Sequence, residues 1–232
     1  MLNLDNFIIL FFNGFARSSA HFDFTLKFIS ENNVIKGGLL MLVYWWLWFR
    51  KSEQQEKHRQ VILVAYGACF LAIVIARALV VVLPFRLRPM HAETLDFVRP
   101  VGMELYDMSR WSSFPSDHAV LFFTLAIGLF YISRRIGWLA FFYVSFFVAF
   151  PRVYLGLHYP TDIVAGLILA VIIILISFRP FFLEKVVRPI FQWSRTHQEY
   201  FYPLFFFYSY QIADLFGATR NSLEFIWRLI NL

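Results

Sequence analysis

Charge and cysteine are what this sequence lacks. Only 16% of its 232 residues are Asp, Glu, Lys or Arg, against roughly 25% in a soluble domain. One cysteine, Cys69, excludes a disulfide framework and a cysteine-based metal site. Set among apolar neighbours, it reads as a small core side chain. The chain also lacks a basic start followed by a long apolar run and a small-residue cleavage site, so residues 1–33 do not read as a secretory signal. Internal repeats and low-complexity tracts are missing as well. What stands in place of charge is apolar surface. Hydrophobic residues make up 59%, aromatic residues 21%, and Phe alone numbers 30, with a mean hydropathy of +0.61. Water has no place for that much apolar surface, and the chain reads as an integral membrane protein. Its length allows a single membrane-embedded domain over 1–232 and no large second one.

The expected fold class is all-α, a membrane bundle of about six transmembrane helices. Apolar runs and breakers place the spans at Val34–Phe49, Gln60–Pro84, Ser116–Ser133, Trp138–Leu155, Pro160–Phe178 and Glu199–Phe216. The last is the weakest, because it carries Gln211 and Asp214. Residues 1–33 mix Phe7–Phe12 with Asp5, Arg17, His21, Asp23, Lys27 and Glu31, the pattern of an interfacial segment. The net charge of +6 is topological in this reading, since Lys and Arg gather on cytoplasmic loops. No basic face with interleaved aromatics stands outside the spans, so no nucleic-acid partner is expected. Basic residues fill the connections 50–59, 134–135 and 179–195, which then share the cytoplasmic side. The connections 85–115 and 156–159 fall on the other side.

The scarce charges of that other side carry the chemistry. Arg152, His158 and Asp162 lie between two apolar spans, Pro115-Ser116-Asp117-His118 opens a third, and Arg86-Leu87-Arg88-Pro89 closes a fourth. Ionisable residues at a membrane edge are a functional signal by default. Asp162, in the first helical turn after Pro160, can reach back to His158, fixing Nδ1–H and freeing Nε2. Alone, His-x-x-x-Asp is weak, and a structural hydrogen bond accounts for it too. Arg152 can bind phosphate bidentately or snorkel from a helix end. Ser116 can serve an anion site at a helix N-terminus or act only as an N-cap, though capping gives His118 no role. Arg86 and Arg88, with Arg152, supply enough positive charge for a phosphoryl group without a metal. Together these groups suggest in-line attack by His158, protonation of the leaving oxygen by His118, and hydrolysis of a phosphohistidine.

At this point the motifs resemble the type 2 phosphatidic acid phosphatase superfamily, related to vanadium haloperoxidases. Arg88-Pro89 matches the end of its Lys-x6-Arg-Pro motif, Pro115-Ser116-Asp117-His118 its Pro-Ser-Gly-His, and Arg152, His158 and Asp162 its Ser-Arg-x5-His-x3-Asp. The resemblance covers residues ~60–178. It implies a six-helix bundle and a metal-independent phosphatase with a phosphohistidine at His158. It also implies phosphate binding by Arg88, Ser116 and Arg152, acid catalysis by His118 and orientation by Asp162, with no cofactor. Three positions depart from the pattern. Val81 stands where the family has lysine, with Arg86 or Arg77 as stand-ins; Arg77 either reaches the site or pairs with an acidic residue. Asp117 replaces glycine, as in bacitracin-resistance-type undecaprenyl-diphosphate phosphatases, where it can pair with an arginine or offer its backbone N–H to phosphate. Pro151 replaces serine.

The resulting expectation is a phosphatase of a bacterial-type plasma membrane, with its site on the periplasmic or exterior face. Its partners are the lipid bilayer and a polyprenyl or glycerolipid phosphate, undecaprenyl diphosphate first. Phosphatidic acid, phosphatidylglycerol phosphate and lipid phosphotransfer stay open. A non-enzymatic anion or lipid transporter predicts charges along a continuous path, whereas here they cluster at one end, Arg77 excepted. A structural membrane protein leaves the spacing of the clusters without a cause, and arginines around the two histidines would repel a catalytic metal. Trp111 and Phe114 fit a lipid entrance or interface anchors; Glu93, Asp96, Glu104 and Asp107 can pair with Arg99 and Arg110. The sequence carries no signal of oligomeric state.

Overall fold

The computed structural model describes residues 3–103 and 111–230, and all regular structure among them is helical. Glu104, Asp107 and Arg110 lie outside the described residues. Four helices carry the bundle centre: α3 (Val34–Phe49), α4 (Gln55–Val82), α5 (Asp117–Phe130) and α6 (Arg134–Tyr154). Helix α7 (Pro160–Ser177) completes it. Before them come α1 (Asn3–Asn13) and α2 (Ala20–Glu31). After them come α8 (residues 180–196), α9 (Gln198–Ala213) and α10 (Gly217–Ile230). Each expected span coincides with a helix to within a few residues, whereas the sequence patterns miss the helical character of 180–196 and 217–230.

Crossing length separates these helices. Among the described residues, three are long and apolar enough to span a membrane: Gln55–Val82, Arg134–Tyr154 and Pro160–Ser177. The other expected spans are shorter. Val34–Phe49, at 1.5 Å per residue, reaches about 24 Å, less than the ~30 Å of a hydrocarbon core. Polar breakers end each segment sooner than its hydropathy suggests.

Helix α5 is enclosed on all sides, with every side chain from Ala119 to Ala126 buried. It is apolar around its whole circumference, which suits an element surrounded by others. In a lipid setting helices associate by close packing, favoured by small residues. A Cβ on Gly166 of α7 would come 2.6 Å from the Ala119 Cβ, and one on Gly128 of α5 would come 2.8 Å from the Ala65 Cβ of α4. Backbones therefore meet where the glycines lie. Aromatic packing of Trp48, Phe201 and Phe205 seals α3 against α9.

The N-terminal helices differ from a segment merely lying at an interface. Their polar residues point inward: Asp5, Asn13 and Asp23 are buried, while Phe7, Phe11, Phe24 and Phe28 are exposed. The Asn13 amide exchanges hydrogen bonds with Val98, and Asp23 accepts from the Val101 N–H and the Tyr154 hydroxyl. Helices α1 and α2 are thereby fastened to the 85–103 connection and the end of α6.

Candidate active site

His158 sits in the tight connection between α6 and α7. Gly156 has φ +70, a left-handed conformation that L side chains rarely adopt, and a Cβ there would meet Phe97 at 2.6 Å. The turn lets the N–H groups of Leu157 and His158 both donate to the Arg152 carbonyl, at 2.9 and 3.2 Å. Arg88 donates to the Leu157 carbonyl at 2.9 Å, and Met90 N–H to the Gly156 carbonyl at 2.9 Å. The first and third motifs are thus joined through the backbone that presents His158.

The orientation of His158 differs in detail from the sequence expectation. Its Nδ1 lies 2.8 Å from the Ser113 carbonyl and 3.6 Å from Asp162 Oδ2. The backbone carbonyl is the hydrogen-bond acceptor, and the carboxylate acts as a nearby charge. Either partner requires Nδ1–H, so Nε2 carries the lone pair. Sequence could not reveal Ser113, because a main-chain carbonyl has no side-chain signature. Asp162 is spent elsewhere: Oδ2 accepts from the Tyr159 N–H at 2.8 Å, and Oδ1 binds Arg86 at 2.5 Å.

Arg86 has partners that the sequence does not announce. The sequence pattern makes it a phosphate ligand or the stand-in for lysine. Instead its guanidinium bridges Asp162 and Asp5, the latter at 2.7 Å, and donates to Thr161 at 2.8 Å. It also lies over the Tyr159 ring at 4.0 Å. Two carboxylates neutralise it, so little charge remains for a ligand. Asp5 also accepts from the Thr161 N–H at 3.0 Å. Its contribution from α1 could not be seen locally, since 81 residues separate it from Arg86.

His118 stands at the start of α5. Its Nδ1 is 2.8 Å from Asp117 Oδ1, and a carboxylate can only accept there, so Nε2 is the free nitrogen. That Nε2 accepts from Arg152 at 2.6 Å. Arg77 forms an ion pair with Asp117 and lies 5.4 Å from the centre of the Trp111 ring. Both alternatives for Arg77 hold: it pairs with an acid and also lines the site. Ser116 is fully buried, and its Oγ caps α5 through the Ala119 N–H at 3.4 Å. Its neighbours Pro115 and Asp117 line the cavity.

A cavity of about 230 Å³ gathers Arg77, Arg88, Asp117, His118, Arg152 and His158. Arg77, Arg88 and Arg152 each carry a buried Nε–H without a partner among the described residues. Burial pulls the Arg88 pKa down, as befits a cation withdrawn from water and short of an anion. Burial also lowers the pKa of His158; the neighbouring Asp162 opposes this and Arg88 reinforces it. The balance favours the neutral form of His158. Arg220 and Leu215 complete the lining from the C-terminal end, carried there by left-handed residues Leu215 and Phe216, φ 53 and 55. Nothing in the sequence pattern signals their arrival.

Two imidazoles and three arginines thus line one cavity, a set of groups able to meet an anion. Residues 63–185, just over half of the chain, match the family described as PAP2 superfamily. Undecaprenyl-diphosphatase BcrC of Bacillus subtilis (strain 168) is 28% identical over 123 residues, 53% of this chain and 58% of that protein. Bacitracin transport permease protein BcrC of Bacillus licheniformis is 40% identical over 67 residues, 29% of this chain and 32% of that one. Lipid A 4'-phosphatase of Bacteroides thetaiotaomicron is 50% identical over 58 residues, 24% of this chain and 25% of that one. The chain spans between about a quarter and just over half the length of these relatives. No solved structure matches it. The matched stretch contains Arg77, Arg88, His118, Arg152, His158 and Asp162 together. The chain belongs to the PAP2 superfamily.

Proposed function

We propose that the protein is a membrane lipid phosphatase that splits a lipid diphosphate into the monophosphate and inorganic phosphate, with undecaprenyl diphosphate the favoured substrate. The observation that carries this reading is the cavity of about 230 Å³ in which two histidines face three arginines that each hold an unpartnered buried N–H. Such a set suits a tetrahedral anion. The relative named undecaprenyl-diphosphatase supports the diphosphate.

The reaction runs in two balanced halves. The Nε2 lone pair of His158 forms a bond to the terminal phosphorus while the bond to the bridging oxygen breaks. That oxygen leaves with the bonding electron pair and takes a proton from His118 Nε2, which has itself received that proton from the terminal phosphate of the incoming diphosphate. Arg88 and Arg152 hold the equatorial oxygens. In the unliganded arrangement Arg152 donates to His118 Nε2, so its move to the phosphate frees that nitrogen for the proton. Water then attacks the phosphohistidine, giving its proton to His118, and His158 departs neutral with release of phosphate. Asp162 and the Ser113 carbonyl hold His158, while Asp117 holds His118. No step calls on a metal.

The site end faces the outside of a bacterial-type plasma membrane in this reading. The basic connections lie together at the other end, where Arg195 reaches Glu56 at 2.8 Å, and the positive-inside rule assigns that end to the cytoplasm. A second reading, a phosphomonoesterase acting on a glycolipid, is favoured by the relative named lipid A 4'-phosphatase. Purified protein incubated with EDTA should release phosphate from a polyprenyl diphosphate faster than from phosphatidic acid, phosphatidylglycerol phosphate or a lipid A phosphate. His158→Ala should abolish the release. Undiminished activity in that variant would remove the nucleophile, and a faster monoester would favour the second reading.

A further inference from the structure

Behind His118 lies a second cavity, of about 400 Å³, lined by Ser30, Lys36, Leu155 and Leu157 together with His118 and Arg152. Only His118 and Arg152 line both cavities: His158 belongs to the first and Lys36 to the second. Lys36 is only 7% exposed, yet its ammonium makes no hydrogen bond or ion pair among the described residues. Ser30 is 2% exposed and its Oγ is likewise without a partner. The Ser30 carbonyl meanwhile receives Arg152 at 3.0 Å, fixing the guanidinium between the two spaces. Glu31 sits exposed on the rim, so two buried cations face one peripheral carboxylate.

The backbone makes this placement of Lys36 deliberate. Helix α3 begins with a π-turn over Val34–Gly38, a departure from regular helix that often marks functional positions. Gly37 packs so closely on α9 that a Cβ would stand 2.5 Å from the Ala213 Cα. The lysine one residue earlier is therefore pinned by its neighbour. An ammonium withdrawn from water and held by no direct ion pair is stabilised when an anion meets it.

We propose that the second cavity is the subsite for the lipid-side phosphate of a diphosphate, held by Lys36, Ser30 and Arg152. The inference rests on His158 as nucleophile toward the terminal phosphate. In-line transfer puts the leaving oxygen on the side of phosphorus away from the nucleophile. His118, the acid toward that oxygen, borders both cavities, and Lys36 lines the one that His158 does not. When the bridging P–O bond breaks, the oxygen gains the proton of His118 and the departing lipid monophosphate keeps its charge against Lys36. The leaving group of a monoester brings no anion to this cavity. Lys36 thus selects diphosphates, and supplies from α3 a lysine that the chain lacks at Val81.

The full-length protein in detergent, titrated with methylenediphosphonate and with inorganic phosphate, tests the subsite without turnover. The wild type should bind the diphosphonate at least about tenfold tighter than phosphate, the worth of one charge-assisted contact. Lys36→Met should reduce that ratio about tenfold, and Lys36→Arg should restore most of it. If Lys36→Met does not fold, Ser30→Ala should lower the ratio in the same direction. Equal binding of both anions by the wild type, or a ratio indifferent to Lys36 and Ser30, overturns the proposal. If the ratio responds to Lys36 while phosphate release ignores His158→Ala, the subsite stands and the catalytic reading falls. The reverse pattern separates them the other way.

Discussion

Asp117 accepts a hydrogen bond from His118 Nδ1 at 2.8 Å, and its other oxygen closes on Arg77. An acidic residue at the mouth of an arginine-lined cavity looks repulsive toward an anion on paper. Here it is neutralised by one neighbour while it fixes the tautomer of the other. Arg77 from α4 and Asp117 from α5 form one positioning pair.

Asp117→Asn should therefore reduce kcat about 100-fold while leaving KM within a fewfold, because an amide can donate to Nδ1 and favour the wrong tautomer. Steady-state kinetics on the polyprenyl diphosphate measure this. A KM rise with unchanged kcat would instead make Asp117 a substrate contact.

The acid limb of kcat/KM should lie below the ordinary imidazole value of about 6.5. Burial and the Arg88 charge lower the pKa of His158, so the neutral nucleophile persists as pH falls and is lost only through the lowered value. Arg88→Gln removes one depressing charge and should move that limb upward, in addition to weakening binding. A pH–rate series on both proteins gives the comparison.

Asp5→Ala should destabilise the fold by about 2–3 kcal/mol, because it leaves a largely buried Arg86 with one carboxylate instead of two. Thermal unfolding in detergent reads the loss. Activity should fall as well, since Arg86 holds Asp162 at 2.5 Å.

Gly166→Ala should destabilise by about 1–3 kcal/mol through overpacking. The new methyl would meet the Ala119 Cβ at 2.6 Å and the Ser116 carbonyl at 3.1 Å, forcing α5 away from α7 and His118 away from His158. Unfolding and kcat measured together check both effects.

Much of this site can be read along the chain, and the reasons are local. His118, Arg152 and His158 sit at the ends of apolar runs, where a charged side chain is costly to keep unless it is used, and all three line the cavity. Helix positions follow from hydropathy, whereas helix lengths do not: Asp117–Phe130 has 14 residues because Tyr131 and the following turn end it early. The role of Arg86 escapes the local pattern for a long-range cause, since its partner Asp5 is 81 residues away. Ser113 acts through a carbonyl that any residue possesses. Lys36 and Arg220 enter from helices whose sequence neighbours contain no motif, and only tertiary packing brings them to the cavities.

The bonds from Asp5 to Thr161 span 156 residues of sequence. During synthesis, the first helix must wait for the α6–α7 connection to emerge before its carboxylate meets Thr161 and the Arg86–Asp162 bridge can close. Contacts so distant along the chain form late, after the intervening segments have been ordered. The first helix therefore stays unfastened until the final third of the chain appears, and the connection that carries His158 is anchored only when the two ends of the sequence have been sewn together.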